Sequence, residues 1–165
     1  MAHRVLTVCG LKGGIGKSAV ATNLAAWWSA AGQRVLLIDA DPNGSATKLH
    51  ARGDGVLLAA GSAVVPIQQA PMAMAKPWDL VVVDTAGGSR DEQRTYAEGS
   101  NYVLAPCQPA ASSIEQVMDL AEDGVDDNLD SNCTKIFERA LEQAEILQQS
   151  IKAELQSHVK KGKWG

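Results

Sequence analysis

The segment Gly10-Leu11-Lys12-Gly13-Gly14-Ile15-Gly16-Lys17-Ser18 constrains this 165-residue chain most. It stands between a short apolar run, Arg4–Cys9 (RVLTVC), and a stretch of helical character, Ala19–Ala31. A strand that turns through glycines into a helix is the context a phosphate-binding loop needs. Glycine lets the backbone curl until successive N–H groups point inward, where phosphate oxygens can accept from them. The partial positive charge at the start of the following helix acts on the same phosphates. On this reading Gly13, Gly14, Ile15, Gly16, Lys17, Ser18 and Ala19 contact nucleotide. Lys17 bridges the β- and γ-phosphates, and the Ser18 hydroxyl is a natural Mg²⁺ ligand. The general pattern has glycine five residues before Gly16, where this chain has Leu11; an additional lysine, Lys12, precedes the glycine pair. The plain alternative is a glycine-rich turn with no ligand.

The rest of the first 105 residues repeats the strand–turn–helix alternation. Arg34–Asp39 (RVLLID) and Asp79–Asp84 (DLVVVD) are continuous apolar runs, the pattern of strands buried on both faces. Val64–Pro66 and Asn101–Ala105 read as shorter strands, Ser45–Arg52 as a short helix and Ile67–Ala75 as a broken one. In the first helix Val20, Leu24 and Trp28 recur at i, i+4 spacing, and Gly32 stops it. Such alternation predicts parallel βαβ units: an α/β fold, mostly parallel, with about five strands and helices on both faces. Aromatic residues are only 4% of the chain, which favours close helix-on-sheet packing over a core of stacked rings.

Charge and cysteine content narrow the class further. The net charge of −4 excludes a globally basic nucleic-acid binder. Cys9, Cys107 and Cys133 are far apart, so thiolate metal ligation is not expected; Cys9 and Cys107 read as buried small hydrophobes. An odd cysteine count and no signal peptide point to a reducing cytoplasm. His3, His50 and His158 are scattered and form no visible metal site or triad. No apolar run approaches the roughly 20 residues of a membrane span.

Three segments in order carry a family resemblance. KGGIGKS (12–18) resembles the deviant phosphate loop of the ParA/MinD group of P-loop ATPases. Asp39-Ala-Asp41-Pro42-Asn43-Gly44-Ser45-Ala46 resembles the family's DxDPQGxA element, with Asn43 in place of glutamine. Val81–Gly88 (VVVDTAGG) resembles its Walker B strand and following turn, and LAPCQPAASSIEQ (104–116) the segment after the next strand. Together they cover about residues 4–120.

The resemblance implies a three-layer α/β/α P-loop fold with ATP and Mg²⁺ as cofactors. Lys12 becomes the signature lysine, reaching the partner's phosphates across an ATP-dependent homodimer. Asp41 orients the attacking water, while Ser18, Asp39 and Asp84 hold Mg²⁺, directly or through its waters. Thr85, Gly87 and Gly88 form a nucleotide-sensing switch, and Pro106, Gln108 and Pro109 line the base pocket. The implied function is slow, Mg²⁺-dependent ATP hydrolysis in a dimerisation switch that positions plasmid, chromosome or other cargo. Its implied partners are a ParB-type adaptor and nonspecific DNA, in the cytoplasm or at the nucleoid, with no membrane role. Turn capping is the bland reading of Asp39 and Asp41. For Asp84, at the end of an apolar strand, burial without a cation nearby is costly.

The resemblance ends near residue 120. Asp119–Asp130 is acidic, and Cys133–Val159 reads as one long amphipathic helix, with Phe137, Leu141, Ala144, Leu147, Ile151, Leu155 and Val159 at three- and four-residue steps. The expected division is a P-loop domain over 1–122 and a linker plus C-terminal helix over 123–165. That helix either covers the core, pairs with a partner, or contacts DNA or membrane through Lys160, Lys161, Lys163 and Trp164. Two rival functions stay open: a non-catalytic nucleotide-binding or oligomerising module, and a metabolic P-loop enzyme of the same class.

Overall fold

The computed structural model describes residues 4–53, 57–107, 115, 117 and 118. A first compact unit ends at Pro106 and a second begins at Cys107. The boundary expected near residue 122, the acidic stretch and the Cys133–Val159 helix lie outside the described residues. So do Gln108 and Pro109.

The first unit runs β1 (Arg4–Val8), α1 (Lys17–Ala30), β2 (Val35–Asp39), α2 (Ser45–Arg52), β3 (Ala63–Pro66), a 3-10 turn (Ile67–Gln69), α3 (Ala70–Met74), β4 (Leu80–Asp84), α4 (Arg90–Glu98) and β5 (Tyr102–Leu104). The five strands form one parallel sheet in the order β3-β2-β4-β1-β5. Each apolar run becomes a strand because both of its faces are covered. Leu37 and Val82 pack with Ala21 and Ala25 of α1 and Ala46 of α2. The alternate residues Leu36, Ile38, Val81 and Val83 pack with Ala70 and Ala73 of α3 and Tyr96 of α4 on the opposite face. This is the expected α/β/α arrangement.

Two expectations change. The face of α1 turned to the sheet is Ala21, Thr22, Ala25 and Ser29, while Val20 and Trp28 are partly buried at its margin. Small side chains let the helix backbone approach the sheet, and the bulkier stripe is displaced to the side. Trp27 is 66% exposed and tilts against Trp28 at 5.8 Å between ring centroids. Cys107 is exposed rather than buried, because it follows Pro106 after the last strand has ended; Cys9, directly after β1, is buried as expected.

α4 has no counterpart among the expected elements. Its first turn is held by a capping box: the Ser89 hydroxyl accepts from the Glu92 N–H, and the Glu92 carboxylate accepts from the Ser89 N–H. Asp91 and Glu92 also place negative charge at the helix N-terminus, where the macrodipole favours it.

Candidate functional site

β1, β2 and β4 are adjacent, so the loops leaving their C-terminal ends converge on one edge of the sheet. In open parallel sheets this edge is where ligands bind. A cavity of about 590 Å³ opens there. Its walls come from the loop after β1 and the start of α1 (Gly13, Gly14, Gly16, Lys17, Ser18, Ala19), the loop after β2 (Asp41, Pro42, Asn43), Ser45, and the turn after β4 (Ala86, Gly87). Gly14 and Gly16 take positive φ values of 76° and 91°, left-handed conformations that turn the chain back into α1.

Lys17, the first residue of α1, is only 6% exposed, and its ammonium donates to the Lys12 carbonyl at 2.8 Å. Burial lowers its pKa, and the charges of Asp84 and Asp41 work against that shift. Burial likewise pushes the neighbouring Cys9 thiol up to about 12, so it is not a thiolate. The Lys12 side chain is exposed, and neither it nor Ile15 is in the cavity wall. Ile15 instead packs on Gly10, where an added Cβ would lie 2.8 Å from its Cδ1.

The two strand-end aspartates are register partners but differ in surroundings. Asp39 and Asp84 stand opposite each other on β2 and β4. Asp39 Oδ2 accepts from the Thr47 N–H at 2.8 Å and Oδ1 from the Asp41 N–H at 3.3 Å, so this carboxylate ties the loop after β2 to α2. Asp41 Oδ1 accepts from the Asn43 N–H at 2.8 Å, an Asx turn. Asp84 is fully buried, and both its oxygens lack a hydrogen-bond partner. Burial first, then the like charges of Asp39 and Asp41, push its carboxyl up to about 6; the Ser18 hydroxyl, close by but outside hydrogen-bonding geometry, and the Lys17 ammonium pull the other way. The orphaned carboxylate, the nearby hydroxyl of Ser18 and a second aspartate suit a hard divalent cation that keeps part of its water. No group of three or more His, Cys, Asp or Glu residues placed to hold a metal ion occurs among the described residues.

The turn after β4 rests on the phosphate loop. A Cβ on Gly87 would lie 2.9 Å from Gly13 N and 3.0 Å from the Lys12 carbonyl carbon, closer than real contacts allow. Pro106 closes the first unit and is half-buried, outside the cavity wall. Sequence reasoning missed one buried polar residue beside the site, Gln93 of α4. The capping-box spacing Ser89-x-x-Glu92 was the available signal for the helix that carries it.

Comparison with known proteins is consistent with this geometry. Residues 6–160 match the family model described as the CobQ/CobB/MinD/ParA nucleotide binding domain. The chromosome partitioning protein ParA of Caulobacter vibrioides is 55% identical over 42 residues, 26% of this chain and 16% of that protein. That match therefore spans well under two thirds of the relative's length. Cobyrinic acid a,c-diamide synthase from Mycobacterium smegmatis, solved with an ATP analogue and magnesium, superposes with a TM-score of 0.55 at 20% identity, covering 75% of this chain and 67% of that one. The pNOB8 ParA bound to nonspecific DNA gives a TM-score of 0.57 at 17% identity, covering 78% and 61%. At these identities the structural likenesses establish the fold.

Proposed function

Because the chain belongs to the CobQ/CobB/MinD/ParA family of nucleotide-binding domains, we propose that it binds Mg²⁺-ATP in the 590 Å³ cavity and hydrolyses it slowly. In this reading hydrolysis is part of a dimerisation switch that positions DNA or other cargo. The observation that carries it is Asp84: a buried carboxylate with two unpartnered oxygens, close to Ser18 and Lys17, which line the cavity. A charge so placed is costly by itself and is compensated once a cation arrives. Ser18, Asp39 and Asp84 would hold Mg²⁺, directly or through its waters, and the ion would supply charge neutralisation on the phosphates.

The glycine loop and the start of α1 grip the phosphates, with Lys17 turning from the Lys12 carbonyl to a phosphate oxygen. Asp41 keeps its second carboxylate oxygen for a water while Asn43 occupies the first. Lys12 is exposed and so is free to reach the phosphates of a second copy, which makes turnover depend on dimerisation. An adaptor of ParB type stimulates turnover, and the ATP-bound dimer holds nonspecific DNA at the nucleoid.

Light scattering with and without a non-hydrolysable ATP analogue tests the switch. The analogue is expected to convert monomer to dimer, and Lys12→Ala is expected to abolish that conversion. A dimer that forms equally well without nucleotide would overturn it. The Asx turn at Asp41 favours one second reading, nucleotide binding without turnover. Phosphate release that is absent while Mg²⁺-ATP binds, and unchanged by Asp41→Ala, would select that reading.

A further inference from the structure

Gln93 lies on the inner face of α4 and is 1% exposed. A buried carboxamide is retained at low cost only when its polar atoms are bonded. Gln93 Oε1 accepts from the Gly10 N–H at 3.0 Å, and Gln93 Nε2 donates to the Ala86 carbonyl at 3.0 Å. A backbone N–H can only donate and a backbone carbonyl can only accept, so these two partners fix the orientation of the amide. The Thr85 hydroxyl lies between the Val8 carbonyl at 3.0 Å and Gln93 Oε1 at 3.1 Å, within reach of both acceptors.

The position of these partners in the sheet gives them meaning. β1 and β4 pair in parallel as far as Val8 and Asp84, and the last rung is the Thr85 N–H donating to the Val8 carbonyl at 3.2 Å. Beyond it the two chains part: one becomes the phosphate loop, the other the turn that lies over Gly13. The carboxamide of Gln93 has the shape and polarity of a peptide group and occupies the next rung. It bridges Gly10, at the entrance to the phosphate loop, with Ala86, in the cavity wall.

We infer that Gln93 is a positioning residue for nucleotide binding: it holds the phosphate loop and the Thr85–Gly88 turn at a fixed separation and links both to α4. The inference rests on the nucleotide reading of the cavity. It assigns Gln93 no contact with the ligand. A displacement of the Ala86 carbonyl by a bound phosphate would be passed through one amide to Gly10 and to α4.

The test uses the full chain. Gln93→Met keeps length and bulk and removes both amide bonds. By calorimetry its affinity for Mg²⁺-ATP should fall about tenfold, the effect of losing two ordinary hydrogen bonds. Hydrogen exchange followed by NMR should show the Gly10 amide exchanging freely while Leu37 and Val82 in the sheet keep their protection. Val35→Ala, at the far end of β2, supplies a destabilised comparison and should bind nucleotide like the wild type. Gln93→Asn keeps both amide groups but shortens their reach by one carbon, so it cannot span Gly10 and Ala86 together; it should bind weakly with the Gly10 amide exchanging faster, and it carries the test if the methionine variant does not fold. Wild-type affinity in the variants, or protection lost evenly across the sheet, would overturn the inference and leave the nucleotide reading intact. Absence of Mg²⁺-ATP binding to the wild-type chain would remove both.

Discussion

Among the described residues, Asp84 stands out for an environment that disfavours its charge. Both oxygens are buried and unpartnered, and burial holds its carboxyl at about 6. Asp84→Asn removes a charge that burial disfavours, and is therefore expected to stabilise the chain at pH 7.5, above the raised pKa, by about 1–3 kcal/mol. The same variant should lose the stabilisation that Mg²⁺-nucleotide gives the wild type; paired thermal melts check both. Asp79 is the opposite case. It accepts from the Arg34 N–H, Nε and Nη2, and these hydrogen bonds hold its pKa at about 2. With the folded value below that of the unfolded chain, the pair's contribution is complete above pH 4 and is lost as pH falls toward 2. Urea midpoints of the wild type and Asp79→Asn should differ at pH 5 and converge near pH 2. The sequence made the role of Asp84 legible, because a carboxylate ending a wholly apolar strand needs a counter-charge. It did not make Asp39's bonds to Asp41 and Thr47 legible, since those depend on how α2 docks.

At the scale of elements, the loops carry the chemistry and are the least tolerant of added atoms. Gly87→Ala would drive a methyl group into the Gly13 and Lys12 backbone, which cannot swing aside as a side chain can. It should cost about 1–3 kcal/mol of stability, as overpacking does, and weaken Mg²⁺-ATP binding; calorimetry and denaturant melts measure the two. Ser89→Ala removes half of the capping box and should cost about 1 kcal/mol, read as a lowered melting temperature. β2 and β4 were the most legible strands because each is a continuous apolar run sealed on both faces. α4 was not: it is strongly polar, with only Gln93 and Ala97 buried. Gln93 was equally hidden, since nothing in local sequence marks a glutamine as the missing rung between two diverging strands.

For the whole molecule, the site spans loops from three strands and is completed only when the sheet is assembled. A ligand that recognises that assembly must stabilise the entire first unit. At a hundredfold excess over its dissociation constant, Mg²⁺-ATP is expected to add about 2.7 kcal/mol to unfolding. EDTA should remove most of that gain, which differential scanning calorimetry would register. The order β3-β2-β4-β1-β5 could not be read from strand patterns, which do not say which runs are neighbours; it is fixed by the crossovers. One further consequence comes from the methyl-lined underside of α1. Ala21 and Ala25 act as a spacer about one carbon thick between helix and sheet, and Lys17 rides at the end of the same rod. Thickening that spacer with Ala25→Val is expected to push the rod off the sheet and, two turns away, to weaken Mg²⁺-ATP binding, which calorimetry would measure.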